Sequence, residues 1–187
     1  MAIKTIISDD DKLFYITFTC YDWLPLIDAT NSYDLVYKWF NYLRKKDIEV
    51  IGYVIMPNHI HCLLNFPERG FSLNTIISNG KRFMAYEIIN RLTAAGQQDI
   101  LSKLQTSLTS SRLDKGQLHS VFRTSFDAKA IRSGKFLWQK MKYMHMNPVR
   151  GNYNLVEDWR DYPHSSAGYY ENGMPGYFMP VHYEELT

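Results

Sequence analysis

His59 and His61 stand two apart in "MPNHIHCLL", residues 56–64, inside a run that otherwise reads as buried strand. Side chains alternate between the faces of a strand, so the two imidazoles share one face while Ile60, Cys62 and Leu64 point to the other. Neutral imidazoles side by side can ligate one divalent metal, each with its second ring nitrogen held by a hydrogen-bond partner. The pair needs a third ligand, and no Cys-x-x-Cys or His-x-x-x-His pattern points to a structural zinc. The competing reading is two half-exposed histidines, each satisfied by water or a carbonyl. A second stretch, "KYMHMNPVRGN" at residues 142–152, places Tyr143 and Asn147 four apart. On a helix this spacing puts both on one face, roughly 6 Å apart. A phenol can attack phosphorus and an amide oxygen can ligate a metal, so nucleophile and third ligand would move as one unit. Against this stands a core stripe of Phe136 and Tyr143, with Asn147 as the helix C-cap. The residues alone leave both pairs of readings open.

The elements that must carry these groups are legible from periodicity. "KLFYITFTCYDW" alternates and reads as a strand from about Leu13 to Tyr21. Leu35, Trp39 and Leu43 recur at helical spacing, with Thr30 or Ser32 available to cap the start. "EVIGYVIM" and "HIHCLLNF" are strands flanking the turn signal Pro57-Asn58. Helical spacing returns from Ser72 to Leu92, followed by a polar 97–118 segment that is either a helix extension with a loop or an insertion. "LHSVFRTSFDAKAI" reads as a bent fourth strand, and "SGKFLWQKMKYMHM" as a helix capped by Ser133 and stopped by Pro148. The expected fold is α+β: a ferredoxin-like antiparallel sheet with two helices on one face, a further helix carrying Tyr143 on the other, and an irregular tail. Residues 1–150 would form the main domain and 151–187 a tail packed on it.

Composition narrows the function. With 45% hydrophobic and 21% charged residues the chain can bury a core. Cys20 and Cys62 lie in apolar strand-like runs and are expected to be reduced thiols. No signal-peptide pattern opens the sequence and no apolar run reaches membrane-spanning length, so a cytoplasmic location and no membrane partner are expected. The net charge of +2 hides an asymmetry: residues 101–150 hold ten Lys and Arg against two Asp, while residues 151–187 hold one Arg against six acids. A basic middle beside an acidic tail is compatible with a polyanion-binding face, or simply with a solvated basic surface.

"MPNHIHCLL", then "YMHMNPVRGN", then "DYPHSSAGYY" together resemble the REP-associated tyrosine transposases, within the wider HUH single-strand transposases. The resemblance runs from the first strand to about Tyr170. It implies that His59, His61 and Asn147 are metal ligands for Mg²⁺ or Mn²⁺, and that Tyr143 is the nucleophile. It implies cleavage and rejoining of single-stranded or hairpin DNA through a 5′-phosphotyrosine, with a homodimer as one possible arrangement. Lys81, Arg82, Arg123, Lys129 and Arg132 are candidate DNA contacts, because cations track phosphates while aromatic rings stack on unpaired bases. The alternatives are an HUH nickase or replication initiator, and a non-catalytic hairpin-binding module. The helix holds Tyr143 without a second spaced tyrosine, since Tyr153 lies beyond Pro148 and Gly151. His145 falls on another helix face and receives no catalytic role. Ser165, Ser166 and the tail tyrosines are expected to pack the tail onto the sheet.

Overall fold

A computed structural model describes residues 8, 10–66, 72–106, 119–151 and 154–186. Alternation along Leu13–Thr19 builds strand β1, which pairs antiparallel with β3 (His59–Asn65) and with β4 (Asp127–Ala130). Strand β2 (Glu49–Ile55) pairs antiparallel with β3, giving the sheet order β2-β3-β1-β4. One face carries Phe14, Ile16, Phe18, Ile60, Cys62 and Leu64. Helices α2 (Tyr33–Arg44) and α3 (Leu73–Ala94) cover that face with Leu35, Trp39, Phe40 and Leu43 from the first and Ile77, Met84 and Ile88 from the second. The opposite face carries Tyr15, Ile51, Val54 and Leu63, and is covered by α5 (Gly134–His145) through Leu137, Met141 and Met144. This is the ferredoxin-like α+β arrangement with the additional helix on the second face.

Several details differ from the sequence reading. A short helix α1 (Leu26–Ala29) follows β1, where no element was expected. Ser32 stands at the start of α2 but makes no capping bond, because its hydroxyl pairs with Thr30, whose own hydroxyl reaches the Leu26 carbonyl at 2.6 Å. The fourth strand is interrupted: an isolated bridge joins Phe122 to Cys20, and regular pairing begins only at Asp127. Gln98–Thr106 of the polar segment is helix α4, and residues 107–118 lie outside the described residues, as does Tyr153. Cys20 and Cys62 are buried free thiols.

The tail solves an edge problem. Strand β2 is an outer strand, and an unpaired outer strand exposes backbone donors and acceptors. Here the tail occupies them: Ile55 N donates to the His164 carbonyl (2.8 Å), Ser166 N to the Tyr53 carbonyl (2.9 Å) and Val181 N to the Val50 carbonyl (3.0 Å). Tyr162 and Tyr170 hydroxyls donate to the Ile55 and Ile51 carbonyls at 2.9 and 2.6 Å. Ser166 Oγ accepts from Tyr53 N at 2.9 Å and lies 2.8 Å from Nε2 of buried His145, tying the tail to α5. Ser166→Ala strands both buried partners, so it should cost about 2 kcal/mol or more. The measurable consequence is a melting temperature lower by roughly 4–8 °C, whereas an unchanged value would show that the tail is not anchored there.

Candidate active site

The imidazole pair sits where β3 meets β1, with His61 opposite Thr17 and His59 opposite Thr19. Their rings are 4.8 Å apart between centroids, and both are buried. The tautomer of His59 follows from its neighbour. Asn58 Nδ2 donates to the Trp23 carbonyl (3.0 Å), which turns the amide oxygen toward His59. That oxygen only accepts, so His59 Nδ1 carries the proton and donates it over 2.7 Å, and Nε2 keeps its lone pair. At His61 the partners of Nδ1 are two hydroxyls, Thr17 Oγ1 at 2.6 Å and Tyr15 Oη at 2.9 Å, each of which can donate or accept. Burial pushes His59 down to about 4, with Asn147 pulling the other way. Burial, reinforced by His59, holds His61 well below the usual histidine range. Both rings are therefore neutral near pH 7, the form that ligates metals.

Helix α5 brings the remaining groups. Ser133 Oγ caps its start by accepting from Phe136 N (3.3 Å). Its buried stripe is Leu137, Met141 and Met144, not Phe136 and Tyr143. The end of the Met144 side chain fills the space beside Gly52, where a Cβ would come within 2.6 Å of Met144 Cε. Tyr143 is 46% exposed, and its ring stands 5.8 Å from that of His61, edge to face. Asn147 does two jobs at once. Its Nδ2 donates to the carbonyls of Tyr143 (2.9 Å) and Met144 (3.3 Å), closing the helix. Its side chain also lines the cavity that holds both imidazoles, and it pulls each of them toward the protonated form. Of the two readings of the sequence, the cap is what the amide nitrogen makes, and its oxygen remains available for a ligand role.

Each neutral imidazole keeps one nitrogen lone pair, and together with the amide oxygen of Asn147 in the same cavity they make a donor set that fits a divalent cation. Among the described residues no group of three or more His, Cys, Asp and Glu gathers, so the third donor of such a site would be an amide. The three residues line a cavity of about 690 Å³ that also contains Tyr143. Arg123, Lys129, Lys140 and Arg150 line it against the single carboxylate of Asp127, a balance that favours an anion. Burial, with Lys129 a lesser cause, holds the Lys140 ammonium below the usual lysine range. Its Nζ lies 5.6 Å from the Tyr143 ring centroid and 5.2 Å from that of Tyr15.

The five candidate DNA contacts separate. Arg123 and Lys129 line this cavity. Lys81 instead donates to the backbone carbonyls of Arg123 and Thr124, at 2.5 and 3.0 Å, and so supports the loop that carries Arg123. Arg132 is paired with Asp11 through two contacts of 2.6 and 2.7 Å. Arg82 lines a separate groove between α2 and α3 with Tyr42, Phe83 and Tyr86. Sequence reasoning missed Lys140, although it sits one turn before Tyr143. It also missed Thr17, Tyr15 and Trp23, whose relation to the histidines depends on strand register and on a turn.

No family model matches the chain, and no curated protein matches its sequence. Among solved structures, a REP-associated tyrosine transposase bound to a REP hairpin matches over 97% of this chain and 93% of that one, with a TM-score of 0.63 and 17% identity. A protein from Deinococcus radiodurans, described provisionally as a transposase, matches over 76% of this chain and 95% of that one, with a TM-score of 0.44 and 12% identity. The first likeness shows that the fold is shared. Among the described residues no helix is long and apolar enough to cross a membrane.

Proposed function

We propose that this protein is a metal-dependent transposase of the REP-associated tyrosine type, which cuts and rejoins single-stranded or hairpin DNA. One observation carries the reading: a half-exposed phenol, two neutral imidazoles and an amide oxygen meet in one cationic cavity, all from a single chain. The shared fold supports it, since the structural neighbour is a transposase bound to a hairpin.

His59, His61 and Asn147 would hold Mg²⁺ or Mn²⁺, the imidazoles being better suited to Mn²⁺. When bound, such a cation supplies Lewis-acid polarisation of the phosphate and charge to stabilise the leaving oxygen. The protein's own groups do the rest. Tyr143 gives up its phenolic proton to solvent and its oxygen attacks phosphorus. The bond from phosphorus to the 3′-oxygen breaks, and its electron pair leaves on that oxygen, which takes up a proton. The products are a 5′-phosphotyrosine and a free 3′-OH. A second 3′-OH can reverse the step on another strand without ATP, because the phosphodiester energy is conserved in the tyrosyl link. Arg123, Lys129 and Lys140 hold the backbone charge.

The test is incubation of the protein with labelled hairpin and single-stranded DNA and Mn²⁺, followed by a denaturing gel. A protein-linked DNA band that disappears with a chelator is expected. Tight DNA binding with no linked band, in either Mg²⁺ or Mn²⁺, would make the protein a binding module instead.

A further inference from the structure

The turn before α1 is strained in a way its sequence does not require. Asp22 and Trp23 adopt φ of 49° and 58°, in the left-handed region that non-glycine residues enter only at a cost. Strain of this kind persists where surrounding bonds enforce it. Here Tyr21 N donates to the Val121 carbonyl (2.8 Å), Cys20 N to the Asn58 carbonyl (2.8 Å), and Asn58 Nδ2 to the Trp23 carbonyl (3.0 Å). The result is an indole that is 51% exposed rather than packed in the core. Its ring meets His59 edge to face at 5.7 Å, and the Arg123 guanidinium carbon lies 5.2 Å from its centroid. Asn58 therefore orients two groups at once, the His59 imidazole through its oxygen and the Trp23 backbone through its nitrogen.

We infer that Trp23 and Arg123 form a subsite for an unpaired nucleobase beside the metal ligands. A half-exposed indole beside a guanidinium offers stacking to any base, and Arg123 can also hold the adjoining phosphate. The position selects which base. Tyr143 stands against His61, while Trp23 stands against His59, so the imidazole pair lies between nucleophile and indole. In an in-line displacement the leaving oxygen departs on the side away from the nucleophile. Trp23 thus stacks on the base of the nucleotide whose 3′-oxygen leaves, the one on the 5′ side of the cut bond. It acts as a positioning residue for the reaction proposed above, and its direction along the strand rests on that reaction.

The test uses the full chain, mixed-sequence single-stranded DNA and the substrate whose cut site the wild-type protein defines. Trp23→Ala should weaken DNA binding by roughly 5- to 100-fold, the range for losing one base–aromatic stack, and Trp23→Phe should stay near wild type. Trp23→Gly suits the left-handed backbone, so its melting temperature should equal or exceed that of wild type while DNA binding falls as in Trp23→Ala. A merely structural tryptophan would instead lower stability and leave binding to the folded fraction intact. On cleavable DNA, removing the base 5′ of the cut should slow wild type roughly tenfold and add nothing to Trp23→Ala. Full affinity in Trp23→Ala, or an undiminished penalty for the missing base in that variant, overturns the subsite. If wild type binds DNA without forming a covalent product, the reaction fails, and the affinity and stability comparisons alone decide the stacking role.

Discussion

Tyr143→Phe is expected to abolish the covalent DNA product, with a loss of more than about 10⁴-fold, because the reacting oxygen itself is removed. Other properties should survive. The Tyr143 ring is half-exposed and outside the buried stripe of α5, so phenylalanine keeps the edge contact with His61 and changes stability by no more than about 0.5 kcal/mol. Asn147 caps the backbone carbonyl of residue 143, not its side chain, and its amide stays in place. Mn²⁺ and DNA should therefore bind the variant as they bind wild type. Single-turnover cleavage at saturating DNA, with calorimetry of the metal, separates these quantities. Persistent covalent product in the variant would place the nucleophile elsewhere.

The second large effect is at His61. It is buried, its Nδ1 is held by Thr17 and Tyr15, and it shares its cavity with Asn147. Burial pushes the Tyr15 phenol above its ordinary range, so Tyr15 stays protonated near pH 7 in the metal-free protein. His61→Ala removes one of the three proposed donors, and Mn²⁺ affinity should fall at least about 100-fold, the upper end of what losing an outer-shell partner alone costs. Cleavage should fall with it at limiting Mn²⁺ and recover partly as Mn²⁺ is raised. A partial recovery would assign the loss to the metal, not to unfolding. Mn²⁺ binding equal to wild type would remove His61 from the ligand set.

The sequence made some of this legible and hid the rest for physical reasons. Alternation in β1 and β3 and the Pro57-Asn58 turn are local patterns, so they placed both histidines on one face. The spacing of Tyr143 and Asn147 is equally local, and α5 has the start that Ser133 marked. What failed depended on long-range partners. The start of α2 looked capped, yet the Thr30 and Ser32 hydroxyls satisfy each other. Arg132 and Lys81 looked like free cations, but Asp11 and the carbonyls of the 123–125 loop hold them. The polar tail looked irregular because its bonding is supplied by the outer edge of β2, far away in sequence. Trp23 was hidden for the same reason, since its exposure is enforced by Asn58 across a turn.

The covalent bond itself is the most direct object to measure. After reaction with Mn²⁺ and DNA, nuclease and protease digestion followed by mass spectrometry should find a nucleotide joined through its 5′-phosphate to the peptide containing Tyr143. A nucleotide attached to any other side chain, or no attached nucleotide despite cut DNA, would contradict the account at its centre.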